Sequence, residues 1–132
     1  MIVVDASFLV VALANDGAEG HQARQRLRGE ELAAPHIIDL EVASVIRKGL
    51  HAGRITAKRA RQAFEDLGSF DLERVAHTSL LPRIWELRDN CTAYDAAYIA
   101  LAELFRVPLV TCDGKMAGAS GARCTFEVFQ PS

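Results

Sequence analysis

The stretch CTAYDAAYIALAELFRVPLVTCD, residues 91–113, is built mainly from small and apolar residues, yet it carries carboxylates at Asp95 and Asp113. Its first part reads as a helix. Thr92 is a good N-cap, and Asp95 three residues later resembles the acidic member of a capping box. Tyr94, Ala97, Tyr98, Leu101, Leu104 and Phe105 continue at helical spacing, and both tyrosines read as core residues. VPLVT, residues 107–111, follows as a strand with Pro108 near its start. The second acid, Asp113, stands directly after that strand.

Working outward, the same alternation recurs. IVV (residues 2–4) is a β-branched run that reads as a buried strand. SFLVVALAND (7–16) follows as a helix with Ser7 as its expected N-cap and NDG (15–17) as its stop. AEGHQARQRLRG (18–29) reads as a polar helix, and ELAAP (31–35) as a short strand closed by Pro35. IIDLEVASVIRKGLHAG (37–53) is a helix with apolar residues at Ile38, Val42, Val45 and Ile46 and with Gly53 as its C-cap. Thr56 caps a fourth helix (57–68), FDLERV (70–75) is a candidate strand, and LLPRIWELRDN (80–90) is a helix with Pro82 in its first turn. A short helical turn and the strand CTFEVF (124–129) close the chain. The expectation is an α/β fold, one domain over residues 1–132, with a largely parallel central sheet flanked by helices.

Composition narrows the function classes. The 132 residues are half hydrophobic and suffice for a real core. A formal net charge of −2 supplies no global field for a polyanion, so a nucleic-acid partner needs a local basic patch. Three cysteines without a CxxC pair argue against a disulfide framework or zinc knuckle and point to a reduced, cytoplasmic setting. MIVVDAS has no signal-peptide character, and no apolar run approaches the ~20 residues of a membrane span. The scattered His21, His36, His51 and His77 lack zinc-ligand spacing, and Walker A, GxGxxG and GxSxG patterns are absent.

Topology brings the acids together. In a parallel sheet the carboxyl ends of the strands share one edge, where ligands bind. Asp5 follows the first strand and Asp113 the strand ending at Thr111 and Cys112. The helix carrying Asp95 runs down to feed that strand, so it starts at the same edge. Glu41 lies beside the apolar stripe of its helix. Each acid also has a plainer reading: Asp5 as a helix cap, Asp95 as a capping-box acid, Asp113 as a turn former, Glu41 as a surface carboxylate. Those readings do not explain a convergence of all four. Crowded carboxylates repel, so one must protonate or a cation must enter. Mg²⁺ and Mn²⁺ take oxygen ligands, and a carboxylate-bound ion activates water and steadies the leaving oxygen of a phosphodiester.

VVDAS, a Glu in the third helix, YDAAYIALA and PLVTCD together, in order and across nearly the whole chain, resemble the PIN-domain ribonucleases, and more closely the VapC-like toxins of bacterial toxin–antitoxin pairs. The resemblance implies an Mg²⁺-dependent (or Mn²⁺-dependent) endoribonuclease in which Asp5, Glu41, Asp95 and Asp113 form the acidic metal site, with Asp5 and Asp95 as the surest ligands. Ser7 and Thr111 match hydroxyl residues that support that site. GKMAGAS, residues 114–120, lacks the further acid of some members, which favours one held ion. An RNA substrate, a VapB-like antitoxin and a homodimer are implied as partners, with no membrane association. Rival readings are a structure-specific DNA nuclease of the same fold and, more distantly, a receiver-like signalling module or a non-catalytic binding domain.

A basic block accompanies the acids. No acid occurs from Val42 to Phe64, while Arg47, Lys48, Arg54, Lys58, Arg59 and Arg61 supply six of the fifteen Lys and Arg. Such a run is either a solvated helix face or a track for an RNA backbone approaching the metal.

Overall fold

Ile2, Val3 and Val4 form β1 and are all buried, as a strand covered on both faces requires. The computed structural model describes residues 1–131, so Ser132, the last residue of the expected domain, lies outside it. After β1 come α1 (Ala6–Ala14), α2 (Ala18–Leu27), β2 (Leu32–Pro35), α3 (Ile38–His51), α4 (Ala57–Ser69) and β3 (Glu73–Val75). A 3₁₀ turn (Thr78–Leu80) leads into α5 (Leu81–Glu86), followed by α6 (Ala93–Phe105), β4 (Leu109–Thr111), α7 (Gly114–Ala117) and β5 (Phe126–Val128).

All pairings in the sheet are parallel, and its order is β3-β2-β1-β4-β5. Val3 sits opposite both Ala33 of β2 and Leu109 of β4, so β1 is central. The chain moves from β1 to β2 on one side and places β4 on the other. Strand order therefore reverses between β1 and β4, and the crevice beyond their carboxyl ends is where such a sheet accepts a ligand. Residues Ala96 to Ala102 of α6 are buried without interruption. Four of those seven are alanines, which let the helix approach β1 and β2 closely. Gly20 has a similar purpose at the α1–α2 junction, since a Cβ there would lie 1.7 Å from the Asn15 carbonyl oxygen.

Several local expectations are corrected. The N-cap of α1 is Asp5, whose side chain accepts the Phe8 N–H, and Ser7 lies inside the helix. The C-cap of α3 is Ala52; Gly53 follows it at φ 73°, a conformation costly for other residues. The helix expected over 80–90 stops at Glu86, and the turn after it is tied down by Asn90 Nδ2 donating to the Ser120 carbonyl at 2.6 Å. Ile38, Val42 and Ile46 bury the α3 stripe, but Val45 is 43% exposed. On α6, Tyr98 is in the core while Tyr94 and Leu104, at the two ends, are 60% and 58% exposed. The helix is longer than the sheet that covers it.

Candidate active site

Asp5 leaves β1 and is buried, its backbone N–H donating to the Val110 carbonyl of β4. One carboxylate oxygen accepts from Ser7 Oγ at 2.7 Å and from the Phe8 N–H at 3.0 Å; the other accepts from Thr111 Oγ1. Thr111 Oγ1 also accepts the Asp113 N–H at 2.9 Å, and Ser7 Oγ accepts the Cys112 N–H at 3.0 Å. Two hydroxyls thus stitch the end of β1 to the end of β4. Asp113 caps α7, accepting from the Lys115 and Met116 N–H groups through one oxygen. Its other oxygen accepts no hydrogen bond among the described residues.

The two helix-borne acids are held differently. Asp95 contributes only its backbone N–H to the cap, donating to Thr92 Oγ1 at 3.1 Å. Among the described residues its carboxylate has no hydrogen-bond partner, so the reciprocal half of a capping box is missing. Glu41 accepts one bond, from the Tyr98 hydroxyl at 2.6 Å. Asp5, Glu41, Asp95 and Asp113 all line one cavity of about 290 Å³, together with Ser7, Ser44, Lys48 and Tyr98.

Electrostatics report the crowding. Burial pushes the Asp5 carboxyl above its ordinary value, against the lowering effect of Thr111, Ser7 and Phe8, and the charge of Asp113 adds to the rise. Asp95 is also pushed up, first by burial and then by the charges of Asp113, Glu41 and Asp5. Burial and Glu41 push the Tyr98 phenol far up, so it is a protonated donor. No three His, Cys, Asp or Glu side chains among the described residues are placed to clasp one ion directly. The donor set is nevertheless all hard oxygen. That chemistry fits a hydrated divalent cation, since Mg²⁺ needs only one or two carboxylates and keeps several waters.

The sequence profile of the PIN domain matches residues 2–121. The chain belongs to the PIN-domain family. Ribonuclease VapC9 of Mycobacterium tuberculosis is 41% identical over 128 residues, covering 97% of this chain and 98% of that protein. PAE2754 from Pyrobaculum aerophilum superposes with a TM-score of 0.69 at 26% identity, over 96% of this chain and 83% of that one. A toxin-antitoxin complex from Klebsiella pneumoniae shares the fold with a TM-score of 0.63 at 19% identity, over 100% of this chain and 98% of that one.

Around the acidic cavity of this PIN domain, the basic block divides. Lys48 lines the cavity wall, on the same face of α3 as Glu41 and Val45. Arg47, Lys58 and Arg61 are exposed, and Arg54 borders an apolar groove with Val10, Val11, Val45 and Ile55. Arg59 instead ties α4 to α1, pairing with Asp16 at 2.8 Å and donating to the Leu13 carbonyl. Two polar lining residues, Tyr98 and Ser44, lie outside the expected site. Tyr98 stands three residues after Asp95 on one helix, so it shares that face, and this spacing was the available signal.

Proposed function

We propose that this PIN domain is a Mg²⁺- or Mn²⁺-dependent endoribonuclease and the toxin of a toxin–antitoxin pair. The observation that carries this is the convergence of four carboxylates, from four separate segments, on one cavity at the switch point of a parallel sheet. One of them, Asp95, has every lone pair unengaged among the described residues. Asp5, Glu41, Asp95 and Asp113 would hold the ion, which would supply charge neutralisation at a phosphodiester and make a bound water more acidic. Ser7 and Thr111 fix the Asp5 carboxylate. Lys48, on the wall, meets the phosphate backbone. RNA is favoured over DNA as the substrate because the full-length relative at 41% identity is named a ribonuclease.

The partners follow from the rim. Val45 borders both the acidic cavity and the apolar groove between α1 and α3. A VapB-like antitoxin segment lying in that groove would bring a cationic side chain within reach of the acids. Leu81 and Tyr94 line an apolar groove with Ile37, Ile84 and Ala97, Trp85 is exposed one turn on along α5, and this surface suits a homodimer contact. No helix among the described residues is long and apolar enough to cross a membrane.

The test is RNA cleavage by the purified chain with Mg²⁺ or Mn²⁺. Asp5→Asn and Asp95→Asn should each slow cleavage by at least ~100-fold, the usual scale for a lost ligand or orienting group. Wild-type rates in either variant would overturn the metal-site reading.

A further inference from the structure

We infer that Tyr98 is a positioning residue, whose hydroxyl aims the Glu41 carboxylate into the acidic cavity. The inference rests on the metal-site reading proposed above and assigns a role inside it.

Glu41 is the acid with the most freedom to leave. Its side chain has three rotatable bonds, and its neighbours Leu40, Ser44 and Val45 on α3 are exposed, so solvent lies open beside it. Nothing on its own helix holds it. The Tyr98 hydroxyl at 2.6 Å is its one hydrogen bond among the described residues, and the length is that of a charge-assisted O–H···O⁻ bond. Tyr98 itself has no such freedom. It is 1% exposed, inside the continuously buried stretch of α6. The bond therefore ties α6 to α3 at the cavity both helices line.

Packing alone does not require this arrangement. A phenylalanine would fill the same space without a polar atom to satisfy, whereas a buried tyrosine hydroxyl must find a partner. Here the partner is a cavity acid. Tyr98 does for Glu41 what Thr111 does for Asp5.

The experiment is calorimetric titration of the full chain with Mn²⁺, without RNA. Tyr98→Phe should weaken Mn²⁺ binding by about 10-fold, as loss of an orienting partner of a ligand does. In a Glu41→Ala background the same change should alter affinity by less than about 2-fold, because the group it positions is gone. Glu41→Asp keeps the charge but withdraws it from the phenol. It should lose affinity to about the same extent, and it tests the idea even if Tyr98→Phe fails to fold. Wild-type affinity in Tyr98→Phe or in Glu41→Asp overturns the inference. So does an equal loss from Tyr98→Phe in both backgrounds, which would mark a packing effect. If wild type and Asp95→Asn bind Mn²⁺ equally poorly, the metal-site reading falls and takes this inference with it.

Discussion

Asp5 and Asp113, which follow strands, accept three and two hydrogen bonds; Glu41 and Asp95, which ride on helices, accept one and none among the described residues. The strand half of the site is built by the fold. Parallel strands deliver two acids to one crevice, and Ser7 and Thr111 knit them to backbone that the sheet already holds. The helix half is held by packing at a distance. A polar site can therefore be rigid where it must be preorganised and loose where it must receive a ligand and its water. The looseness has a cost before any ligand arrives, because the charge on Asp95 is then partly desolvated and repelled by those of Asp113, Glu41 and Asp5.

The largest effect should come from breaking the strand half. Thr111→Val keeps shape and burial but removes the donor to Asp5 and the acceptor for the Asp113 N–H. Hydrogen bonds to charged groups are worth roughly 1.5–3 kcal/mol, and the buried Asp5 carboxylate would lose one. We expect a stability loss of about 2–3 kcal/mol by urea denaturation, with cleavage impaired as well. A loss below about 0.5 kcal/mol, within the range of an ordinary surface change, would show that the strand half is no more preorganised than the helix half.

The two halves also differ in how far the sequence discloses them. Asp5 and Asp113 are legible because the first directly follows a strand and the second stands two residues past the end of another, and a parallel sheet sends strand ends to one edge. Thr56 and Thr92 cap their helices as a local reading expects. Ser7 misleads for a tertiary reason. Its hydroxyl is turned toward Asp5 and toward the Cys112 N–H, 105 residues away, so the cap falls to Asp5. The Tyr98–Glu41 bond spans 57 residues between two helices, and no local rule reports such a pairing. Apolar periodicity placed Val45 and Tyr94 in the core, but it cannot distinguish a face turned to the sheet from one turned to a groove. Val45 lines the acidic cavity and the groove between α1 and α3, and Tyr94 lines an apolar groove beside α5.

A smaller and opposite effect is expected in the helix half. Asp5 and Asp95 both have folded-state values raised above the ordinary 3.8. A raised acid means that the folded state binds extra protons. That stabilising contribution is complete below the ordinary value and is lost as pH rises through the raised one. The metal-free protein therefore carries a penalty at neutral pH that is absent near pH 3 to 4. Asp95→Asn removes one charge and leaves the backbone bond to Thr92 in place. It should stabilise the protein in chelator by at most about 1 kcal/mol at pH 7, since part of the carboxylate is in water and screened. The gain should vanish as pH falls through the raised value toward the ordinary one. Millimolar Mg²⁺ should raise the melting temperature of wild type more than that of the variant. If Asp95→Asn melts lower than wild type in chelator and gains as much from Mg²⁺, Asp95 is a structural helix residue and the contrast between the halves fails.

The smallest effect sharpens the same contrast on the substrate side. If RNA reaches the cavity over α3, the helix half guides the backbone as well as holding adjustable acids. Lys48 is then the first cation of the basic block that a phosphate meets, because it lines the cavity on the face that carries Glu41. It makes no ion pair among the described residues, so its charge is available. Lys58 is exposed on α4, outside the cavity lining. Each phosphate neutralised on a single strand contributes about 0.7 to the slope of log affinity against log salt. Lys48→Ala should lower that slope by about 0.7 and weaken binding a few-fold at ~0.1 M salt. Lys58→Ala should do less. Arg59→Ala should leave the slope unchanged and instead loosen the α1–α4 contact made through Asp16. Binding is measured in chelator, so that cleavage does not enter, with a single-stranded RNA titrated across several salt concentrations. Equal losses at Lys48 and Lys58 would mean that the whole α3–α4 block attracts RNA diffusely. No change at either would make the block a solvated face, and entry of the substrate would have to be sought over the strand half instead.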